Sequence, residues 1–236
     1  MQKPNITLDP STSEPAVRDA PQGIALPTSL PTPKETKVAP TGSGGENASI
    51  YFVGTATTIL EWEGARLMTD PNFLHAGDHV HLGPGVQGTR VTNPAVDLHE
   101  LPRIDAVLLS HYHADHFDQK VEASLRRSLP IITTPHAKGH LTSKGPEEDF
   151  SQVHDLDFFD SMFVDIRKPA SGGKEGRTPA VKVTGMPGKH VPPGPGGALR
   201  AANELLQAVP PTNGWMLELG YKQSRDDNSS FESGYR

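Results

Sequence analysis

The chain contains 236 residues, with 22 Lys and Arg against 28 Asp and Glu and a formal net charge of −6. This length fits one domain with tails, and the acidic balance without a basic block argues against a nucleic-acid partner. The absence of cysteine excludes disulfide bonds and thiolate metal ligands. No apolar run approaches the roughly 20 residues of a transmembrane helix, and no signal or transit pattern opens the chain. We therefore expect a cytoplasmic, or alternatively nuclear, protein without a transmembrane segment.

The folded part is predicted to begin near residue 48. Residues 1–47 are rich in Pro, Ser and Thr and show no apolar periodicity, so they are predicted to be disordered, with a Pro-rich docking motif as the alternative. Residues 48–221 are predicted to form the domain, and the polar tail at 222–236 is expected to be loose. Three runs that open the domain are predicted strands, at 49–54, 57–62 and 65–70.

The middle of the domain is predicted to be a βαβ crossover. A long loop at 71–102 leads into the apolar run at 104–109, which reads as a buried strand. A helix is predicted over 117–129, because four apolar residues recur there at four-residue spacing, and a strand follows at 131–134. The later predicted elements are a short helix near 138–144, strands near 151–156, 159–167 and 180–185, a helix over 198–208 and a strand at 214–219.

The run Ser110-His111-Tyr112-His113-Ala114-Asp115-His116 directly follows the buried strand. It therefore lies at the carboxyl end of that strand, where open α/β sheets bind ligands. His111 and His113 share a face of extended backbone and suit one metal ion, and a turn would bring Asp115 and His116 to a neighbouring position. Imidazoles and carboxylates are ligands of zinc and similar ions, so the run predicts a site for one or two of them. The alternative is a chance cluster of polar loop residues.

This run resembles the signature of the metallo-β-lactamase superfamily, and the likeness extends to other stretches of the chain. The likeness to the superfamily's opening segment covers Ile50-Tyr51-Phe52-Val53-Gly54, Thr57-Thr58-Ile59-Leu60-Glu61-Trp62 and Ala65-Arg66-Leu67-Met68-Thr69-Asp70-Pro71. A likeness to one branch, which contains the ascorbate-phosphate lactonase-like enzymes and the N-acyl-phosphatidylethanolamine-hydrolysing phospholipase D, covers Leu82-Gly83-Pro84-Gly85, Met186-Pro187-Gly188-Lys189-His190 and Asn213-Gly214-Trp215-Met216-Leu217-Glu218. The resemblance implies a four-layer αββα sandwich. It also implies a metal-dependent hydrolase that cleaves a phosphodiester, lactone or amide-like bond in a small-molecule or lipid-like substrate.

The resemblance further implies a ligand set. His111, His113 and His190 would hold the first ion, and Asp115 and His116 would hold a second. Asp115 is also the candidate catalytic residue. The expected ions are one or two Zn²⁺, with Mn²⁺ or iron as alternatives.

Other polar residues could act near this site. Asp70, at the end of the third predicted strand, is interpreted as orienting the ligand loop, against the alternative of a plain Asp-Pro turn. His136 could line the cleft or be ordinary polar surface. His75, His79 and His81 could contact substrate from the long loop.

The sequence departs from the family pattern after His190. No histidine follows that residue, and the only later aspartates are Asp226 and Asp227. Because a complete two-ion site in the family needs a bridging aspartate and a late histidine, the fold is expected to be incomplete at its C-terminus. The alternative function is therefore a truncated, inactive remnant that binds one metal ion or none, and the chain as given is expected to hydrolyse substrates poorly.

Overall fold

The computed structural model of the chain describes residues 1–21, 23–38, 47–83, 86–167, 177–188 and 210–235. The strands are β1 Ile6–Leu8, β2 Ala48–Gly54, β3 Thr57–Trp62, β4 Ala65–Thr69, β5 His79–Gly83, β6 Val86–Thr89, β7 Ala106–Leu108, β8 Ile131–Thr133, β9 Val153–Asp155, β10 Ser161–Ile166, β11 Thr178–Pro187, β12 Asn213–Lys222 and β13 Glu232–Tyr235. The helices are α1 Gln119–Ser124 and α2 Pro135–Leu141, with 3-10 turns at Leu98–Glu100 and Asn228–Ser230.

Two mixed sheets form the frame of the domain. The first has six strands in the order β2-β3-β4-β7-β8-β9, and the second has five in the order β1-β10-β11-β12-β13. In the first sheet β2, β3 and β4 are an antiparallel meander, while β4, β7, β8 and β9 run parallel. The parallel strands therefore all present their carboxyl ends at one edge of the sheet.

The two sheets pack face to face over an apolar core. Leu67 and Leu108 of the first sheet are fully buried in one cluster with Val164 and Val181 of the second. The opposite face of the first sheet is covered by both helices, which contribute Val121, Ala137 and Leu141 to a second cluster. Successive strand residues point to opposite faces, so one sheet serves both cores. This layering is that of the metallo-β-lactamase-like fold, and the helix predicted over 198–208 lies outside the described residues.

The prediction that the N-terminal segment lacks structure is wrong for the first part of the chain. β1 pairs in parallel with β10, with Ile6 opposite Val164. Leu8 and Val17 are only 3% and 5% exposed. The segment has few apolar residues, but those few lie against an open sheet edge and the helix-covered face, and backbone hydrogen bonds to that edge supplement the small apolar contribution.

The helix predicted over 117–129 is also corrected, because α1 ends at Ser124. Leu125 instead forms an antiparallel bridge with Val17. The amide of Arg18 donates to the Ser124 carbonyl, and the amide of Arg126 donates to the Ala16 carbonyl. The N-terminal segment thus captures backbone groups that a longer helix would have used, while the apolar residues of the predicted face remain buried.

Two further segments are more ordered than predicted. The long loop at 71–102 contains the β5–β6 hairpin, whose strands pair from His79 opposite Thr89. The C-terminal tail, expected to be loose, contains β13, which pairs antiparallel with β12. Its Glu232 forms an ion pair with Arg177. The hairpin is held by pairing within the loop itself, whereas β13 is held by β12, and the composition of neither segment reveals this pairing. None of the helices in the described ranges has the length and apolar character needed to traverse a lipid bilayer.

Truncating Leu8 to alanine tests whether the N-terminal strand is part of the core. Because this side chain is buried between the sheets, Leu8→Ala is expected to lower the free energy of unfolding by about 2–5 kcal/mol in urea titrations. The matched control is Val38→Ala, at a side chain that is 74% exposed, with an expected change within about 0.5 kcal/mol. Equal midpoints for the two variants would show that β1 does not pack in solution.

Candidate metal centre

The candidate site lies where β4 and β7 end side by side. Thr69 is opposite Leu108 in the parallel register, so Asp70 and the loop that begins at Ser110 leave the sheet at the same level. The Asp70 amide donates to the Leu108 carbonyl over 3.1 Å, which extends the ladder by one step past the strands. The sheet thereby fixes the starting point of the histidine-rich loop, as expected for carboxyl ends of parallel strands.

Three of the predicted ligands converge. His111, His113 and Asp115 each place one donor atom so that the three atoms lie within 4.8 Å of one another. His111 is 1% exposed, while the other two are half-buried. His113 Nδ1 lies 2.7 Å from Asp115 Oδ1. A set of two imidazoles and one carboxylate has the chemistry that zinc, manganese and iron sites use, so these residues could hold such an ion.

His116 lies beside this group rather than within it. Its ring centroid is 4.3 Å from that of His111, and its Nε2 is 3.9 Å from Asp115 Oδ2. The sequence assigned Asp115 with His116 to a second ion, whereas the structure groups Asp115 with His111 and His113. Asp115 therefore lies between His113 and His116, with Oδ1 near the first ring and Oδ2 nearer the second.

Asp70 orients the loop through both of its carboxylate oxygens. Oδ1 accepts from the Ser110 amide over 2.6 Å, and Oδ2 accepts from His116 Nδ1 over 2.9 Å. With Nδ1 as the donor, the neutral ring of His116 carries its lone pair on Nε2, the nitrogen nearer Asp115. Asp70 adopts a positive φ of 33°, a region that Asp tolerates better than most residues. This geometry agrees with the orienting role interpreted from the sequence.

The charges of the loop follow from these contacts. Burial alone would raise the pKa of Asp115, but the hydrogen bond with His113 and the charges of His116 and His113 lower it to about 2. Burial would lower the pKa of His116, but the hydrogen bond and charge of Asp70 outweigh it and raise that pKa. Asp115 is consequently an ionised carboxylate at neutral pH, the form that coordinates cations.

A second set of contacts, centred on Asn72, holds the loop from the side, and no sequence pattern predicts it. Asn72 Nδ2 donates to the carbonyls of Ala114 and Asp115, over 3.3 and 3.0 Å. Asn72 Oδ1 accepts from the Leu74 amide and from Arg90 Nη1. Asn72 is 1% exposed, so its amide replaces water for backbone groups that the turn would otherwise leave unsatisfied.

Tyr112, the residue between the first two histidines, anchors the loop to the side of the sheet that the helices cover. Its hydroxyl donates to Glu122 of α1 over 2.9 Å and accepts from Lys144 Nζ over 2.8 Å. Its ring is tilted against Phe117 at a centroid distance of 6.3 Å. The alternation of side chains along the loop thus sends the histidines to the site and the tyrosine into the helix-covered side.

The other histidines considered in the sequence are distributed around this centre. His190, the proposed third ligand of the first ion, lies outside the described residues. His75 Nε2 is 2.6 Å from Asp97 Oδ1, and His79 Nδ1 is 3.0 Å from Thr89 Oγ1. His81 is exposed on the β5–β6 hairpin. His136 is the second residue of helix α2, which follows the carboxyl end of β8.

A sequence model of the β-lactamase superfamily domain matches residues 66–218, which is more than half of the chain. The chain belongs to the metallo-β-lactamase superfamily. The matched region contains Asp70 and every ligand candidate named above, from His111 to His190, and both sheets contribute strands to it.

Individual relatives match this chain over shorter stretches. An uncharacterised protein of Mycobacterium tuberculosis is 32% identical over 119 residues, which cover 50% of this chain and 31% of the relative. The mitochondrial N-acyl-phosphatidylethanolamine-hydrolysing phospholipase D of Saccharomyces cerevisiae is 30% identical over 105 residues, covering 43% of this chain and 22% of the yeast protein. The matched part of the chain thus spans about a third or less of the length of these relatives.

Solved structures show likeness at low sequence identity. An isothiocyanate hydrolase from Delia radicum gut bacteria has a TM-score of 0.49 and 17% identity, with 79% of this chain and 63% of the other covered. A possible metal-dependent hydrolase from Veillonella parvula has a TM-score of 0.45 and 18% identity, with 75% and 58% covered.

Replacing Asn72 tests whether the side tether shapes the loop. Asn72→Ala leaves the Ala114 and Asp115 carbonyls without their donor. We expect about 1–3 kcal/mol of lost stability and a metal affinity that falls about 10- to 100-fold in competition with a chromophoric zinc chelator.

Asn93→Ala is the matched control, because this exposed amide accepts from the Ala76 amide and has no contact with the loop among its described hydrogen bonds. Its zinc affinity should equal that of the unmodified chain. An Asn72→Ala variant that binds zinc as tightly as the control would show that the tether is unrelated to the metal centre.

Proposed function

We propose that this chain carries the metal centre of a metal-dependent hydrolase. The observation that supports the proposal is that His111, His113 and Asp115 bring one donor atom each to within 4.8 Å of one another at the carboxyl edge of the parallel strands. A carboxylate that fixes the proton on a neighbouring histidine accompanies this group. Such supporting hydrogen bonds usually accompany histidine ligands in metal sites.

The proposed ligand set is His111, His113, Asp115, His116 and His190. Zn²⁺ is the expected ion, with one or two bound, and Mn²⁺ and iron remain alternatives because the same nitrogen and oxygen donors suit them. When bound, such an ion supplies a water of lowered pKa near neutral pH and polarises the substrate oxygen under attack.

The residues of the chain would position this chemistry. The hydrogen bond between Ser110 Oγ and His111 Nδ1, at 2.9 Å, fixes the ring of His111. Asp70 fixes His116 in the same way. Asp115 remains ionised because its pKa is about 2. A carboxylate of that pKa is a weak general base, so we assign Asp115 to accepting a hydrogen bond from the attacking water and aligning it.

The bond cleaved is proposed to be a phosphodiester, a lactone or an amide-like bond of a small-molecule or lipid-like substrate. The yeast relative carries the name of a phospholipase D that hydrolyses N-acyl-phosphatidylethanolamine, which makes a lipid phosphodiester the first substrate to test. A cytoplasmic location remains our proposal for the protein, and we expect no nucleic-acid substrate.

The second candidate function is binding without turnover, in which the chain holds one ion or none. The observation that favours it is that His111, His113 and Asp115 are the single group of three or more potential ligands found within the residues that the structure describes. Metal content and turnover measured on the same preparation separate the two functions.

His113→Ala tests the proposed function directly. We expect it to remove bound zinc and to lower any hydrolysis of bis(p-nitrophenyl) phosphate, N-acyl-phosphatidylethanolamine or a homoserine lactone more than about 100-fold. His99→Ala is the control, because His99 is an exposed histidine whose Nε2 pairs with Asp19. Bound metal without measurable turnover in the unmodified chain would favour the binding function, and turnover that survives His113→Ala would overturn both.

A further inference from the structure

Two histidines outside the centre form a pair on helix α2. His136 and His140 are four residues apart, so they lie on the same face of the helix. Their Nε2 atoms are 3.4 Å apart, and their rings are at a centroid distance of 4.7 Å with planes inclined by 60°. Both rings therefore direct the same type of nitrogen toward one position.

The spacing of these nitrogens fits a chelate better than a hydrogen bond. Hydrogen bonds from ring N–H groups are usually shorter, with donor–acceptor distances of roughly 2.7–3.2 Å. Two nitrogens bound to one tetrahedral zinc at roughly 2.0–2.1 Å are about 3.3–3.4 Å apart. The observed 3.4 Å between the Nε2 atoms equals that edge of a coordination tetrahedron.

The pair is held in place by contacts that do not involve a metal. Thr134 caps α2 by accepting from the Ala137 amide over 3.1 Å, and Ala137 and Leu141 anchor the helix at 0% exposure. The His140 ring stacks on Tyr112 at a centroid distance of 5.0 Å and an angle of 6°. A helix and ring fixed in this way lose little conformational entropy when a ligand binds.

The surroundings leave the pair suitable for a cation. Two cationic side chains that follow in this part of the chain, Lys138 and Lys144, are each paired, with Asp155 at 2.7 Å and with Glu122 at 2.7 Å. Burial, with a smaller contribution from His140, lowers the pKa of His136. Neutral imidazole is the form that binds metals, and His136 adopts it near neutral pH.

The geometry points to a second, peripheral binding site, in which His136 and His140 chelate a zinc-like divalent cation whose remaining positions are filled by water. This site uses none of the ligands of the proposed metal centre, and its binding does not require an ion there. With nitrogen ligands alone it would select Zn²⁺, Ni²⁺ and Cu²⁺ and would not bind Mg²⁺ or Ca²⁺, which require oxygen ligands.

Zinc titration of the full chain by calorimetry tests the proposal. The unmodified chain should bind one equivalent more than the variants His136→Ala and His140→Ala, or bind that equivalent at least about tenfold more tightly, since one ligand alone lacks the chelate gain. Mg²⁺ should give no heat at the same concentrations. His75→Ala, at an exposed histidine paired with Asp97, should keep the additional equivalent.

A double variant controls for histidine number. Lys138→His combined with His140→Ala retains the total of 11 histidines but moves one to another face of the helix. It should bind as weakly as His140→Ala. Recovery of the equivalent in this variant, or equal weakening by His75→Ala, would show adventitious binding to surface histidines and overturn the proposal.

Two measurements keep this test independent of the proposed function and of folding defects. In His113→Ala the peripheral equivalent should remain although the central one is lost, and in His140→Ala the central zinc and any turnover should remain. In the unmodified chain, the nitrogen chemical shifts of the His136 and His140 rings should change when the peripheral equivalent of zinc binds. If zinc shifts neither ring, the site does not exist, whether or not the chain hydrolyses substrates.

Discussion

The carboxylate of Asp70 joins the end of strand β4 to the ligand loop that follows β7, its parallel neighbour in the sheet. One oxygen accepts from the backbone of Ser110 and the other from the ring of His116, while the Asp70 carbonyl accepts from Thr57 Oγ1 over 2.7 Å. A buried carboxylate without donors would cost several kcal/mol. Here each oxygen has a donor, so the same contacts that satisfy the charge also fix where the loop leaves the sheet and which nitrogen of His116 carries the proton.

The position of the ligand loop also depends on how the second sheet packs against the first. Asn213, at the start of β12, donates its amide to the Ser110 carbonyl over 3.0 Å and its side-chain amide to the Leu156 carbonyl over 2.8 Å. Asn213 is 3% exposed. The second sheet therefore contacts the first residue of the histidine run directly, and the inter-sheet core sets the position of that contact. A change that loosens the packing of the sheets would reach the ligands through Ser110 without touching them.

How much the sequence predicted depends on where the determinants lie. The strands of the first sheet and the run from Ser110 to His116 were predictable, because apolar periodicity and ligand spacing are local properties. Three features were not predictable: the N-terminal strand β1, the end of α1 at Ser124 and the strand β13. Each is decided by hydrogen bonds to another segment of the chain. The same holds for Asn72, whose importance appears only when its amide meets two carbonyls of the loop.

The histidine pair on α2 shows how a small error in an element boundary conceals chemistry. A helix predicted near 138–144 leaves His136 in the preceding loop, so the two histidines have no defined relation. Thr134 and Pro135 are strong N-terminal signals, a side-chain cap followed by a residue with fixed φ. Placing the helix start by those two residues brings His136 and His140 onto one face at four-residue spacing. Capping chemistry, rather than apolar periodicity, was therefore the signal in the sequence that could have revealed the pair.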